Sequence, residues 1–304
     1  MSIQTVGMIG RGALGILFAH QIEKVLDQNH LCFIADEQRV DRYQQQELFS
    51  NDEKCEFHYV SQVKDFQPVD LILICVKFNG LNGAIETIRD FIKEDTIIIS
   101  VLNGISSENI LQKHFPNNII VRCIAQGMDA VYCDHQLTYS HFGELVIGAT
   151  NNQEEEAIKE LSQFFDKTHI PYTISKDIIH SQWNKLMLNC GVNQVCAAYN
   201  IPYGGIQDNQ KYRNILKETM KEVQKVAAQL EIIITDDEIE EWFHIMDTFD
   251  YEGMPSMRQD VLAHRKTELG LFSGTVIPIA HQYGIKVPHL EELYHLIQDI
   301  EKDF

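Results

Sequence analysis

The stretch Trp183–Asn193 carries one ammonium and two amides at helical spacing. Lys185, Asn189 and Asn193 stand at successive i, i+4 steps, so a helix would place them along one stripe of its surface. The other faces of that helix would be apolar, and an unpaired amide or charge is costly to bury. We therefore expect the polar stripe to face a cleft. A solvent-exposed edge of an ordinary amphipathic helix is the alternative.

A second polar run extends from Pro255 to Leu269, where the pattern predicts one helix rich in polar groups. Ser256 follows a proline and could simply cap this helix. Glu268 has basic neighbours at positions 265 and 266, so it could form a structural ion pair. The local sequence does not decide whether Glu268 forms that structural ion pair or belongs to a functional site.

The chain that must position these groups opens with a strand, a glycine turn and a helix. The apolar run Thr5–Ile9 ends at Gly10, and a helical pattern follows the turn. The first glycine permits the turn, the second lets a pyrophosphate approach the backbone, and the third allows close helix packing. The helix N-terminus adds amide donors and a favourable dipole. We predict dinucleotide binding rather than a purely structural turn, through residues Gly10, Arg11, Gly12, Ala13, Leu14 and Gly15.

The second predicted strand, Leu31–Ala35, ends at an acidic residue, Asp36. A carboxylate at this position usually accepts hydrogen bonds from the ribose hydroxyls and repels a 2′-phosphate, which favours NAD. Arg39 could instead pair with that phosphate, and Asp36 could merely cap the following segment. The choice between NAD and NADP stays open on these residues.

Two further strands deliver polar residues at their carboxyl ends, the edge where open α/β sheets bind ligands. Leu71–Val76 is apolar on both faces, as in a central parallel strand, and ends at Lys77. We expect Lys77 to hold a phosphate or orient the nicotinamide ribose, unless it is only a solvated strand end. Thr96–Leu102 ends at Asn103, in an Asn-Gly turn signal, and that amide could reach the nicotinamide end of a cofactor.

The overall pattern predicts an α/β fold with an N-terminal Rossmann-type dinucleotide-binding domain, residues 1–175, followed by an all-helical C-terminal domain, residues 176–304. Strands after residue 119 predict an antiparallel extension of the sheet. We expect Asn151–Glu156 to be a polar loop that leads into a helix. Ser175 and Asp177 suit the start of the Lys185 helix, and Thr235 to Glu238 matches a capping box.

Composition excludes several classes of protein. The formal charge of −19 disfavours nucleic acid as a partner, and no apolar run approaches the length of a membrane helix. The seven cysteines form no CxxC pair, so we predict buried thiols in a reducing compartment and no metal site. We expect a soluble, cytoplasmic protein, and a homodimer is the commonest default for its assembly.

Taken together, the motifs resemble the ketopantoate reductase family (2-dehydropantoate 2-reductases) over essentially the whole chain. The matching pieces are GRGALG at 10–15, VK at 76–77, NG at 103–104, WNKLMLNCGVN at 183–193 and SMRQDVLAHRKTE at 256–268. Two departures lie near the implied pocket. Gln194 follows Asn193 where the family often has proline, and His264 stands where glycine is frequent.

The resemblance implies reduction of 2-dehydropantoate to (R)-pantoate with NADP as cofactor, or NAD because of Asp36. It makes Lys185 the general acid, and Glu268 would hold the hydroxyl end of the substrate. It implies that Asn189, Asn193 and Ser256 bind the substrate's hydroxyl and carboxylate. Two alternatives remain: a dehydrogenase or reductase of another small 2-oxo or 2-hydroxy acid on the same scaffold, and a non-catalytic NAD(P) sensor.

Overall fold

The computed structural model describes residues 2–304 and divides them into two compact units. The first unit runs through Asn103 and continues over Ser107–Ile178. The second unit comprises Gly104–Ser106 and Ile179–Phe304. The chain therefore enters the second unit briefly at residues 104–106 and again after residue 178, close to the predicted boundary at 175.

The strands of the first unit are short, and most of their residues are buried. In chain order they are β1 (Val6–Ile9), β2 (Leu31–Ile34), β3 (Phe49–Ser50), β4 (Glu53–Lys54), β5 (His58–Val60), β6 (Val69–Ile74), β7 (Ile92–Ser100), β8 (Ile119–Gln126), β9 (Val131–Cys133), β10 (Gln136–Thr138), β11 (Glu144–Gly148) and β12 (Tyr172–Ile174). The helices of this unit are α1 (Ala13–Glu23), α2 (Glu37–Gln44), α3 (Leu81–Ile88), α4 (Ser107–His114) and α5 (Asn152–Thr168).

Eight of the strands form one sheet in the order β12-β11-β8-β7-β6-β1-β2-β5. The pairs from β5 to β8 are parallel, β11 runs antiparallel to β8, and β12 is parallel to β11. This arrangement confirms the predicted Rossmann-type domain and its antiparallel extension. The consecutive parallel strands β7, β6, β1 and β2 present their carboxyl ends along one edge.

Apolar side chains fill both faces of this sheet, because parallel strands connected by helices are covered on each side. On one face, Met8, Leu73 and Ile99 pack with Phe18 of α1 and Phe165 of α5. On the other, a second cluster joins strands β6 and β7 to helices α3 and α4; its members include Ile72, Ile74, Ile85, Ile98 and Leu111. Strands β1 and β2 are therefore buried over their whole length.

The predicted polar loop at Asn151–Glu156 is wrong, because these residues begin α5. Asn151 is the N-cap, and its Oδ1 accepts hydrogen bonds from the backbone N–H groups of Gln153 and Glu154 at 3.0 and 3.1 Å. Glu154 also accepts from Thr150. Polar residues satisfy the free amides of a helix start, and their composition resembles that of a loop.

A smaller sheet packs beside α1 in the order β4-β3-β10-β9. Its apolar side joins the helix through Ile16 and Leu17, which contact Leu48, Cys55 and Leu137. The β3–β4 hairpin is thereby held against the helix that follows the glycine turn.

The second unit is helical throughout the part of the chain that the structure describes. Its elements are α6 (Ile178–Leu188), a π-helix (Asn189–Asn193), α7 (Gln194–Ala198), α8 (Tyr203–Gln207), α9 (Gln210–Gln229), α10 (Asp236–Met246), α11 (Ser256–Leu262), α12 (Ser273–Gln282) and α13 (Pro288–Ile300). Between residues 2 and 304, no helix combines the length and the apolar character that spanning a membrane requires.

Candidate active site

The glycine turn between β1 and α1 is shaped by two close backbone approaches. Gly10 has φ +100°, and a Cβ there would lie 2.6 Å from the backbone of Cys75 and Val76, just beyond β6. A Cβ on Gly15 would overlap the carbonyl oxygen of Gly10. These two glycines therefore permit the turn and the close packing of α1, as predicted.

Gly12 differs from its neighbours because a Cβ there would meet nothing within 4 Å. It is the N-cap of α1, with extended backbone, and Ala13 and Leu14 begin the helix. The amides of a helix start have no partners inside the helix and attract anions. The space beside Gly12 is open, and the amides at this helix start could hold the pyrophosphate of a dinucleotide, which makes Gly12 part of a candidate phosphate cradle.

The Arg11 side chain is buried within the first unit. Its guanidinium lies 3.8 Å from the centroid of the Tyr43 ring, donates to the Tyr59 hydroxyl at 3.2 Å, and also donates to Gln46. Cation–π and hydrogen-bond contacts of this kind fasten the glycine turn to α2 and β5. Arg11 was predicted to bind the cofactor, and the two terminal nitrogens of its side chain here donate to protein partners.

Asp36 and Arg39, the two candidates for setting cofactor preference, are paired with one another. Asp36 is the N-cap of α2: its Oδ1 accepts from the Arg39 backbone N–H at 2.8 Å. Its Oδ2 lies 3.1 Å from Nη1 of Arg39, and both side chains are at least half exposed. The capping role that the sequence left open is therefore present, and a phosphate would compete with Asp36 for Arg39.

Four predicted cofactor residues follow the carboxyl ends of neighbouring strands. Gly10 follows β1, Asp36 follows β2, Lys77 follows β6 and Asn103 follows β7. Because these strands are parallel and adjacent, the fold brings all four positions to one edge of the sheet. Lys77 is exposed and precedes a short 3₁₀ turn, Phe78–Gly80, while Asn103 is partly buried.

The predicted continuous helix over the polar stripe of Lys185, Asn189 and Asn193 is wrong in detail. Lys185 lies in the last turn of α6, and the π-helix Asn189–Asn193 follows. A π-helix bonds i to i+5, and such segments are frequent at functional sites. The stripe therefore changes its pitch between the ammonium and the two amides.

The two amides of the π-helix contact each other and are largely buried. Asn193 Nδ2 donates to Asn189 Oδ1 at 2.9 Å, and the residues are 9% and 6% exposed. Asn193 Oδ1 is fully buried and accepts no hydrogen bond from residues 2–304. An unpaired buried acceptor costs roughly 1–3 kcal/mol. This oxygen therefore lacks the hydrogen bond that its burial calls for.

Gln194, the departure from the family pattern, fastens the helix beyond the π segment. Its Nε2 donates to the Cys190 carbonyl at 2.7 Å, and its Oε1 accepts from the Ser273 hydroxyl at 2.5 Å. The side chain is completely buried. Glutamine thus satisfies a carbonyl of the π segment and links it to α12.

The direction of α6 is set by contacts with α10 that the sequence analysis did not predict. Asn184 donates to Glu238 Oε1 at 2.7 Å and accepts from the Trp242 indole N–H. His180 Nε2 lies 3.1 Å from the same carboxylate oxygen. Glu238 also completes the predicted capping box with Thr235, so one carboxylate both caps α10 and holds α6. The capping box identified Glu238 in the sequence, but the α6 residues that Glu238 contacts lie more than 50 positions away.

The predicted single helix over Pro255–Leu269 is wrong, because α11 ends at Leu262. His264 adopts a left-handed conformation with φ +48°, and the Arg265 N–H closes the helix on the Asp260 carbonyl at 2.9 Å. Glycine adopts this left-handed conformation without the strain that a side chain brings. The His264 ring instead packs on Phe304, with ring centroids 5.2 Å apart.

Glu268 lies in the connection after α11 and precedes a 3₁₀ turn, Leu269–Leu271. Its basic neighbours contact other carboxylates: Arg265 Nε lies 2.9 Å from Asp260, and Lys266 Nζ lies 3.6 Å from Glu301. Glu301 Oε1 also accepts from the Thr267 N–H at 2.7 Å and from its hydroxyl at 2.6 Å. Glu301 therefore anchors the connection that carries Glu268.

Ser256 is the exposed first residue of α11 and follows the N-cap residue, Pro255. No side-chain cap bond forms at this helix start, so the predicted capping role of Ser256 is absent in the described chain. Helix α11 packs against α7 and the π-helix. The second unit therefore brings the helix of Ser256 beside the segment of Asn193.

We predict different effects for alanine at two glycines of the turn. Gly15→Ala should destabilise the chain by roughly 1–3 kcal/mol or more, because its Cβ would overlap the Gly10 carbonyl. Gly12→Ala should cost the fold less than about 1 kcal/mol, yet weaken dinucleotide binding roughly tenfold or more. Urea unfolding and cofactor titration measure the two effects. Equal destabilisation with unchanged affinity in Gly12→Ala would contradict a phosphate cradle at this position.

Comparison with known proteins places this geometry in a family. The family model described as "Ketopantoate reductase PanE/ApbA" matches residues 6–152, and "Ketopantoate reductase PanE/ApbA C terminal" matches residues 177–301. The chain is 22% identical over 300 residues to a 2-dehydropantoate 2-reductase of Streptococcus pyogenes serotype M6, with 96% of each chain covered.

Two solved structures share the fold. D-mandelate dehydrogenase, solved with NADH and anilino(oxo)acetate, has a TM-score of 0.85 and 24% identity, with 98% of this chain and 99% of that chain covered. A dimeric ketopantoate reductase from Staphylococcus aureus has a TM-score of 0.81 and 19% identity, with 98% and 99% covered. The two family models match successive parts that together make up most of the sequence, and the chain belongs to the ketopantoate reductase family of oxidoreductases.

Proposed function

We propose that this protein reduces 2-dehydropantoate to (R)-pantoate with a reduced nicotinamide dinucleotide. The observation that carries the proposal is the buried, unpaired Oδ1 of Asn193, which offers an acceptor to a substrate hydroxyl. Family membership supports the reaction class. The unfilled acceptor supports a hydroxylated substrate over a purely apolar 2-oxo acid, because a ligand without a donor would leave this oxygen unsatisfied.

Lys185 is the proposed general acid. When bound, the reduced cofactor supplies a hydride to the carbonyl carbon of the substrate. An ammonium near the carbonyl oxygen stabilises the negative charge that develops there and can then donate its proton. The Asn184–Glu238 hydrogen bond holds the helix that carries Lys185, so it should also fix the direction of the ammonium.

Glu268 and Ser256 are proposed to bind the remaining polar groups of the substrate. 2-Dehydropantoate has one hydroxyl proton, so the Glu268 carboxylate and Asn193 Oδ1 are alternative acceptors for it. The Ser256 hydroxyl and the Asn189 amide can donate to the substrate carboxylate. A chain with formal charge −19 repels an anionic substrate at long range. Local donors such as Lys185 must therefore provide the attraction.

The cofactor in this proposal is NADP, with NAD as the alternative that Asp36 raises. Lys77 and the amides at the start of α1 would hold phosphates of either cofactor. Arg39 can pair with a 2′-phosphate only by releasing the Asp36 carboxylate, which lies 3.1 Å away. The carboxylate should therefore lower the preference for NADP without abolishing binding.

The main rival is an NAD-dependent enzyme for another 2-hydroxy or 2-oxo acid. Two observations favour it: the exposed Asp36 after β2, and the similarity to D-mandelate dehydrogenase, which was solved with NADH. A sensor that binds the cofactor without turnover has no need for a proton donor at position 185. For assembly, we propose a homodimer, supported by the dimeric relative from Staphylococcus aureus.

Lys185→Ala tests the general acid through initial rates of cofactor oxidation with 2-dehydropantoate. We expect kcat to fall by roughly 10²–10⁴ because the general acid is lost, whereas cofactor affinity should stay unchanged. Lys225→Ala, at an exposed position of α9, is the matched control and should keep the parental rate. Retention of the rate in Lys185→Ala would remove the proposed acid. Cofactor binding without turnover in the parent would favour the sensor.

A second prediction concerns cofactor preference and uses Asp36→Ser. Serine keeps an N-cap for α2 but removes the negative charge. A unit charge at about 4 Å from another contributes about 1 kcal/mol in water, so relief of repulsion with a 2′-phosphate should raise the NADPH/NADH ratio of kcat/KM about fivefold. Steady-state kinetics with both cofactors measures this ratio. An unchanged ratio, with unchanged melting temperature, would show that Asp36 does not face the ribose.

A further inference from the structure

Three potential metal ligands meet where the C-terminal end of α1 contacts the β3–β4 hairpin. His20 and Glu23 lie one helical turn apart on α1, and Cys55 directly follows β4. One ligand atom from each of these three residues lies within 4.8 Å of the other two. His20 and Cys55 are 6% and 7% exposed, and Glu23 is partly exposed. We propose that His20, Glu23 and Cys55 form a structural site for a divalent transition metal, and that zinc fits it.

The distances in the cluster suit ligands that share one ion. Nδ1 of His20 lies 3.5 Å from Cys55 Sγ and 2.6 Å from Glu23 Oε1. Zinc bonds of about 2.0–2.1 Å to nitrogen and about 2.3 Å to sulfur, at tetrahedral angles, separate those two atoms by about 3.5 Å. The nitrogen and sulfur are therefore already spaced for zinc, and the Glu23 carboxylate needs to move outward by less than about 1 Å.

Glu53 provides the outer partner that a metal-binding imidazole requires. Its Oε2 lies 2.9 Å from Nε2 of His20, on the opposite side of the ring from Cys55. A carboxylate that accepts the Nε2 proton leaves Nδ1 free to bind a metal and fixes the ring orientation. Lys24 Nζ lies 3.4 Å from the same oxygen and helps to hold the carboxylate.

The donor set selects the kind of metal. A thiolate and an imidazole with one carboxylate suit zinc or cobalt, whereas calcium and magnesium prefer oxygen ligands alone. The thiolate, the carboxylates of Glu23 and Glu53 and the Lys24 ammonium together carry two net negative charges, which a divalent cation neutralises. The thiol proton passes to solvent when sulfur binds the metal.

The metal-free alternative is an imidazolium between two carboxylates. Hydrogen bonds to Glu23 and Glu53 raise the pKa of His20 above its ordinary value, against the effect of burial. Burial, with the same two carboxylates, raises the pKa of the Cys55 thiol to about 12. The alternative explains the two carboxylates but gives the buried thiol beside Nδ1 no role.

Occupancy would clamp the β3–β4 hairpin to α1, because the ligands come from both elements. Three protein ligands leave one tetrahedral position for water. The glycine turn lies at the opposite end of α1, so the site should stabilise the first unit without taking part in the reduction. The proposed metal site is therefore independent of the proposed function, and either can be disproved without the other.

Cobalt(II) added to the chelator-treated, full-length protein tests the site directly. We expect one equivalent to bind, with a thiolate-to-cobalt charge-transfer band and visible bands typical of four-coordination. Zinc should displace the cobalt and raise the melting temperature. Cys55→Ser should lose the charge-transfer band, whereas Cys133→Ser, at the exposed thiol of β9, should keep it.

Glu53→Gln is a second variant that should still fold, because the Glu53 side chain is two-thirds exposed. We expect this variant to keep the charge-transfer band but to bind cobalt about 10–100-fold more weakly, as loss of an outer carboxylate does at other metal sites. No charge-transfer band in the parent would overturn the proposal in favour of the imidazolium. A band that survives Cys55→Ser and vanishes in Cys133→Ser would also overturn it.

Discussion

Contact between the Gly15 Cα and the Gly10 carbonyl is the packing constraint on which the first unit depends. It leaves no room for a side chain, so α1 starts directly against the ends of β1 and β6. Because Arg11 reaches from the same turn to Tyr43 and Tyr59, α2 and β5 are held by that turn as well. Asp36 follows the next strand along, so the turn and the candidate ribose contact occupy one edge of the sheet.

The second unit buries polar groups at a cost in free energy, whereas the first unit is constrained by close packing of its backbone. It buries two amides in a π-helix and leaves one amide oxygen unpaired within residues 2–304. Such a group destabilises the chain unless a ligand supplies the missing donor. Gln194, Glu238 and Glu301 form hydrogen bonds at the π segment, at α6 and at the connection after α11. These hydrogen bonds therefore surround the segment that carries the unpaired amide oxygen.

The sequence allowed prediction where the signal is local and periodic. The glycine turn, the order of apolar strands and the Thr235 capping box each lie within a few neighbouring residues, and the structure contains all three. The end of α11 was missed because His264 adopts a left-handed conformation without being glycine. Asn151 was assigned to a loop because capping residues and loop residues have the same composition.

Contacts between distant segments could not be predicted in the same way. Asn184 and Glu238 are separated by 54 positions, and the sequence around either residue does not indicate that it contacts the other. The prediction of no metal site rested on the cysteines alone, which show no metal-binding spacing, and so missed the proximity of His20, Glu23 and Cys55. Folding of the hairpin onto α1 supplies the proximity that spacing does not. Such long-range pairs depend on the topology of the sheet and on how the helices pack.

The central claim is that the site requires a hydroxyl on its 2-oxo acid. The most direct measurement compares kcat/KM for 2-dehydropantoate with kcat/KM for 3,3-dimethyl-2-oxobutanoate, which lacks the 4-hydroxyl, in the parent and in Glu268→Gln. We predict a preference of about 100-fold or more for 2-dehydropantoate in the parent, because the analogue leaves buried polar groups unpaired, and a much smaller preference in the variant. Equal values for both substrates in the parent, or faster turnover of phenylglyoxylate, would contradict the account.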